Sequence, residues 1–496
     1  MHLRIFFGTV ACLALASCAL KNPPAGADIM PESAQAKIPG KWAGSHRSGD
    51  VVPNWIRTFN DPQLTALVHD AVERNPDLKA AAARVEASYY AIKVAASSLY
   101  PRIGVKALGE RQGQELHGNL DRGLNPPTFG NLGVESSGGS GLDTSVDSSS
   151  QRWVYGLGIG AAWEADVWGR IRSKKAAAKA ENAALTADYE FARQSLAAAV
   201  ARAYFTTIEA AQQEANAQET LGLYEDYSKL TDDKKKQGFA SDYEVAQIRS
   251  RTAGAKDTYF AAQAARAQAI RAIEVVTSRY PAGKLSVRRS FPSQPGAVPA
   301  GLPAQILERR PDVVAAERRF AAAFHRTNEA RTARLPRFAL SASGGMGTAQ
   351  LDTVGVIDAV TWSLAAGVTQ PIFFGGELKA AQDIRTAEQK AAAASYVGVT
   401  LRAFEDVEDA LAGDYYLRKR EGALGEMVSA SADTVKLGRA RLGEGQEDMF
   451  TILRLAGENL AAKIQHTQIR ASRLRERVNL HLALGGDFRG TGAPAK

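Results

Sequence analysis

Proline is the residue that most limits what this chain can fold into. Nineteen prolines occur in 496 residues, yet none falls between Pro127 and Pro281 or between Pro371 and Pro494. Proline lacks a backbone donor and clashes with the preceding turn of a helix, so two such intervals point to two long helical regions. Residues 170–236 contain one glycine, Gly222; as a helix rising ~1.5 Å per residue they would extend roughly 100 Å. Residues 377–442 are the counterpart. Leu185, Tyr189, Ala192, Leu196, Ala199 and Ala203 step by four and three, a heptad seam, and Val397, Leu401, Phe404 and Leu411 form a similar stripe. Breaks at Gly238 and at Gly443 and Gly445 send each long helix back as a shorter one, about 241–279 and 446–484.

The chain also repeats itself. Asn75-Pro76-Asp77 opens a helical stretch that closes at Leu99-Tyr100-Pro101-Arg102, and Arg310-Pro311-Asp312 opens one that closes at Arg334-Leu335-Pro336-Arg337. The proline-to-proline spacing is the same in both, and an alternating run follows each. Such self-similarity marks an internally duplicated architecture.

Strands are predicted at roughly 102–110 and 152–165 in the first half, and 337–348 and 358–370 in the second. Tyr155, Leu157, Ile159 and Trp163 alternate with glycine and alanine; Trp362, Leu364 and Val368 alternate with serine, alanine and glycine. Period-two alternation over about ten residues fits strands with lipid on one side and water on the other, although a half-buried soluble sheet alternates too. Residues 111–151, rich in Gly, Ser and Asn, are expected as a long exposed loop, and residues 349–357 as a short one. Four strands cannot close a barrel, and an open edge in lipid leaves backbone groups unpaired. Three copies in cyclic symmetry would supply about twelve strands. No run of eighteen apolar residues offers a spanning helix.

Cys12 and Cys18 are the only cysteines. Residues 1–18 combine a short basic start, an apolar stretch from Ile5 to Ala16 and the ending Leu15-Ala16-Ser17-Cys18. This reads as an export signal whose ending resembles a lipobox, after which Cys18 is expected to carry acyl chains; a plain signal peptide with an incidental cysteine is the competing reading. Residues 18–54, without periodicity, are expected as a tether, and the Pro-rich stretch 281–303 as a connector outside the helical body. The formal charge of +8 comes from basic residues scattered among acidic ones, with no nucleic-acid motif.

With these elements in place, the chain resembles the TolC-like outer-membrane factors, in particular the NodT-type lipoproteins of resistance-nodulation-division efflux systems. The resemblance rests on Trp55, Phe59, Asp61-Pro62 and Leu64; on Asn75-Pro76-Asp77-Leu78; and on Val167-Trp168-Gly169-Arg170. It continues through Leu307-Glu308-Arg309-Arg310-Pro311-Asp312, Gln370-Pro371-Ile372-Phe373-Phe374-Gly375-Gly376 and Leu482-Ala483-Leu484-Gly485-Gly486. It implies a mixed α+β membrane protein: a homotrimer whose twelve-stranded β-barrel, with four strands per chain, continues into a periplasmic α-barrel of antiparallel coiled-coil helices. Residues 55–280 would form the first repeat, 304–486 the second and 487–496 a tail behind the 1–17 signal peptide. The implied function is the outer-membrane duct of a tripartite efflux pump in a Gram-negative bacterium, passing drugs or small toxic compounds. The implied partners are a periplasmic adaptor and a proton-driven inner-membrane transporter.

Some members of the family close the periplasmic end with paired aspartates. Placing the second turn on Gly445 puts the matching positions at Thr451 and Arg454; placing it on Gly443 gives Met449 and Ile452. Neither placement supplies the aspartates. Glu447, Asp448, Thr451 and Arg454 are therefore the gate candidates, with a plain helix start as the competing reading for the acids. Gly238, Gly443 and Gly445 are the adaptor-contact candidates, with turn chemistry as the competing reading. No phosphate loop, nucleophile elbow or metal-spaced histidine set occurs, so neither catalysis nor a cofactor is expected. The acidic run Glu405, Asp406, Glu408 and Asp409 reads as a solvated or helix-pairing face. The alternatives are a duct for secreted proteins and an envelope-spanning lipoprotein scaffold without a pore.

Overall fold

A computed structural model describes residues 22–30, 40–44, 47, 49–119, 145–351 and 355–488. Cys18, the leader and the tail beyond 488 lie outside the described residues. The chain opens with α1 (Gly26–Ile29), a 3-10 helix (Trp55–Phe59), α2 (Pro62–Arg74), α3 (Pro76–Ser97), β1 (Arg102–Asn119) and β2 (Ser145–Ala165). It continues with α4 (Arg170–Lys236), α5 (Asp242–Val276), α6 (Ile306–Arg309), α7 (Pro311–Thr332), β3 (Arg337–Leu351) and β4 (Gly355–Thr369). It closes with α8 (Glu377–Gly443) and α9 (Met449–Ala483). Helices α3 and α7 each have 22 residues, α4 and α8 each 67, and α5 and α9 each 35.

The chain divides into two compact units, one of Lys93–Lys175 with Asn328–Asp383, the other of Asn22–Ile92, Ala176–Thr327 and the chain from Ile384 onward. The first holds a four-stranded sheet in the order β1-β2-β3-β4, antiparallel throughout. Its strands are longer than the alternation predicts, because β1 and β2 stay paired out to Asn119↔Ser145. Residues 111–119 and 145–151 therefore belong to a hairpin, and the expected loop is correspondingly shorter. Periodicity reports which face is apolar; a polar ladder continues on backbone hydrogen bonds without showing it.

In the second unit, ion pairs join α5 to α4 (Arg266–Glu214, 2.7 Å), α4 to α9 (Arg475–Glu209, 2.6 Å) and α9 to α8 (Arg473–Glu421, 2.6 Å). The buried stripe of α4 is Ala197, Ala198, Ala201, Tyr204, Phe205 and Ile208, and that of α8 is Tyr396, Ala403, Val407, Ala410 and Leu411. The expected seam residues from Leu185 to Ala203 are only half-buried, beside this stripe, and Leu401 is exposed. Alanine lets two backbones approach closely at Ala197, Ala198 and Ala201, and Tyr204, Phe205 and Ile208 extend the stripe into the apolar cluster around them.

Two apolar clusters anchor this unit. In one, Trp55, Phe59, Leu64 and Val68 meet Tyr204, Phe205, Leu474 and Val478; in the other, Trp42, Val298 and Val313 meet Tyr396, Val407 and Leu480. The segment expected as a tether is thus docked where it is described. Buried Trp42 donates its indole N–H to the Ala300 carbonyl at 3.1 Å, and Glu408 accepts from the Ala43 and Gly44 N–H groups, both at 2.8 Å. The Pro-rich connector is packed too, with Phe291 and Val298 buried and three of its N–H groups, from Gly283 to Leu285, donating to Glu274. A segment without regular structure has no period to detect, yet it buries single large side chains. Arg310, also buried, pairs with Asp312 at 2.7 Å and Asp406 at 2.9 Å, which assigns part of the acidic run on α8 to helix pairing.

Candidate functional sites: a two-faced sheet and two helix turns

Side chains opposite one another in a ladder share a face, and the register of this sheet gives two faces of different character, with Leu108 on the small-residue face and the Thr348–Asp358 pair on the apolar one. One face carries Ile103, Val105, Leu157, Ile159, Met346, Val360, Trp362 and Leu364, each more than half exposed. The other carries Gly104, Gly158, Gly160, Ser341, Ser343, Gly345 and Ser363, with the Ser343 and Ser363 hydroxyls 2.8 Å apart. Gly345 is confined by its neighbours: a Cβ there would stand 2.9 Å from the Leu157 carbonyl oxygen. A continuous apolar face of this kind is unfavourable in water and stable against hydrocarbon. Both outer strands, β1 and β4, have an unpaired edge within the chain.

Aromatic residues gather at the end of the sheet where β1 and β3 start and β2 and β4 finish. Tyr100, Trp163, Trp168, Phe373 and Phe374 are all exposed there. The indole of Trp163 donates to the Leu99 carbonyl at 3.0 Å and that of Trp168 to the Pro336 carbonyl at 2.8 Å. Trp and Tyr concentrate at membrane–water boundaries because one end is apolar and the other hydrogen-bonds. The sequence reading did not single out this collar; its signal was the clustering of aromatics within a few residues of four strand ends. Among the described residues no helix is long and apolar enough to cross a membrane.

The two helix turns share one geometry. Gly238 has φ +81°, its N–H donates to the Lys235 carbonyl at 2.9 Å, and the Phe239 N–H reaches the Lys234 carbonyl at 2.8 Å. Gly445 has φ +74°, with Gly445 N–H to Leu442 at 3.1 Å and Gln446 N–H to Arg441 at 2.9 Å. Both are Schellman caps, in which a left-handed glycine lets the last carbonyls find donors. Gly445 is therefore the counterpart of Gly238, and Gly443 is the last residue of α8. The left-handed position of the second turn is thus Gly445.

Each returning helix is capped at its start. Ser241 and Glu244 form a reciprocal capping box on α5, with Glu244 accepting from the Ser241 N–H at 2.7 Å. On α9, Asp448 accepts from the Thr451 N–H at 2.8 Å and from its hydroxyl at 3.1 Å. The Thr451 backbone N–H holds the Asp448 carboxyl below its ordinary range. Arg454 pairs with Glu458 at 2.7 Å, and Glu447 lies 4.0 Å from Arg441. The structure thus brings Asp448 and Thr451 together and directs Arg454 and Glu447 to other partners. Phe239 and Tyr243, beside the first turn, are the most exposed aromatics of the helical unit after Tyr280, and the sequence reading passed over them. No group of three metal-ligating side chains occurs among the described residues.

The sequence model for outer membrane efflux proteins matches residues 67–278 and 302–486. The chain belongs to the outer membrane efflux protein family. The toluene efflux pump outer membrane protein TtgF of Pseudomonas putida is 30% identical over 492 residues, 96% of this chain and 95% of that protein. Among solved structures, the outer-membrane channel OprN is 26% identical with a TM-score of 0.76, over 95% of this chain and 98% of OprN. The open-state MtrE outer membrane channel of Neisseria gonorrhoeae is 25% identical with a TM-score of 0.75, over 95% and 99%. This efflux protein is an outer-membrane duct of a tripartite pump, a conduit and not an enzyme.

Proposed function

We propose that three copies of this chain join edge to edge into one twelve-stranded barrel, with their long helices forming a tube on the periplasmic side. The observation that carries this reading is the sheet itself, with one face apolar and exposed and both edges open. An unpaired backbone group in hydrocarbon costs several kcal/mol, so the edges need strands from neighbouring copies. The equal lengths of α3 and α7, α4 and α8, and α5 and α9 support an internal two-fold repeat.

The cargo is small toxic compounds or drugs, in keeping with the toluene efflux named for TtgF. The energy comes from a proton-driven inner-membrane transporter of the resistance-nodulation-division class. A periplasmic adaptor meets the turns at Gly238 and at Gly443 and Gly445, where Phe239 and Tyr243 offer exposed apolar surface. Glu447, Asp448, Thr451 and Arg454 line the closing end. Acylation of Cys18 after its lipobox anchors the chain to the outer membrane.

Single-channel recording of the purified protein in a planar bilayer tests the duct. Discrete currents are expected, rising when Arg454 or Glu447 is neutralised. A correctly assembled trimer that stays silent even with the tip residues replaced would leave a scaffold without a pore.

A further inference from the structure

We propose that the part of the duct inside the membrane is electropositive on its water side and favours anionic over cationic solutes. The inference rests on the reading above, in which the small-residue face of the sheet lines a closed barrel. Among the described side chains, three cationic ones lie on that face: Arg102 and Lys106, which alternate with Ile103 and Val105 on β1, and Arg337, which precedes Phe338 on β3. All three are exposed. Lys106 stands opposite Gly158, which stands opposite Gly345; Arg102 stands opposite Ala162, which stands opposite Ser341. The register therefore puts Lys106, Arg102 and Arg337 on three successive levels. Adjacent levels are four residues, or about 13 Å, apart along the strands.

Along tilted strands the three levels span roughly 20 Å of the membrane normal, with Lys106 inside the apolar band, Arg102 at its edge and Arg337 at the aromatic collar. Their cross-strand neighbours are glycine, alanine, serine and threonine, too small to cover them. None of the three forms an ion pair among the described residues. Two acids with described side chains share the face: Glu164 is already held by Arg170 at 2.9 Å, which leaves Glu110 alone to oppose three cations. Three-fold assembly would turn each cation into a ring. Rings of Arg and Lys favour anions in pores, and low-dielectric walls focus their field along the lumen.

Reaction rates at a reporter thiol read the local potential directly. Thr361 on β4 stands opposite Gly345, at the level of Lys106, and on the same face. In the assembled Thr361→Cys protein in bilayers, an anionic methanethiosulfonate reagent is compared with a cationic one, each relative to its rate with a free thiol. The anionic reagent is expected to be favoured about sevenfold, which is what a potential of ~1 kT per unit charge produces. Adding Arg102→Glu, Lys106→Glu and Arg337→Glu is expected to invert the preference. If the triple reversal fails to assemble, Lys106→Gln alone is expected to shift the ratio in the same direction. A ratio equal to that of the free thiol, or unmoved by these changes, overturns the inference while leaving the duct intact. A thiol that neither reagent reaches overturns the lumen assignment, and with it the barrel reading.

Discussion

His481 is almost completely buried, its ring stacked on Trp55 at 5.5 Å with an interplanar angle of 13°. Burial, and then the Arg477 guanidinium, push its pKa from 6.5 down to about 3. The unfolded chain takes up the proton first, so this residue's contribution is intact above pH 6.5 and declines as pH falls from there toward 3. The expected slope is about 1.4 kcal/mol per pH unit. His481→Phe, which keeps a stacking ring and removes the titration, should flatten thermal stability between these limits when followed by far-UV circular dichroism. An unchanged slope would assign the acid sensitivity elsewhere. At the turn, Asp448 combines a cap with a charge, and two substitutions separate them. Asp448→Ala should cost about 1 kcal/mol at the start of α9 and speed hydrogen exchange there, while Asp448→Asn should preserve the exchange rate. Because hydrogen bonding depresses the Asp448 pKa, the native cap should also weaken as pH falls through its folded value.

At the scale of an element, the sheet makes the sharpest demands. Gly345 faces the Leu157 carbonyl so closely that Gly345→Ala must displace the β2–β3 ladder, whereas Gly104→Ala meets nothing within 4 Å. Folded yield in membranes should drop for the first and hold for the second. Leu157→Arg, on the exposed apolar face, should cost about 2–4 kcal/mol if that face meets lipid near the bilayer centre, measured by denaturant titration in liposomes. The faces were legible in the sequence because alternation is a local property. The reach of β1 and β2 was not, since Gln112 to Asn119 show no apolar period, yet their backbone stays in the ladder. The same distinction separates the helices' extents, marked by absent proline and by Gly238 and Gly445, from their contact line. That line follows Ala197, Ala198 and Ala201 and depends on what packs opposite.

At the scale of the whole molecule, the single chain is incomplete: a sheet with two open edges and an exposed apolar face has no stable place in water. Light scattering of detergent-solubilised protein, corrected for bound detergent, should therefore give the mass of three copies. A stable monomer would contradict closure by neighbours. Sequence alone determined the long helices, the glycine turns and the two faces of each strand. These follow from backbone sterics and side-chain periods that act within a few residues. Only the tertiary structure decided that Trp42 docks a segment with no period, that Trp55 meets His481, that Arg310 is buried between Asp312 and Asp406, and that Gly445 rather than Gly443 is the turn's left-handed residue. The first three join residues far apart in the chain, where burial and charge pairing depend on which distant group arrives, and no local pattern records that.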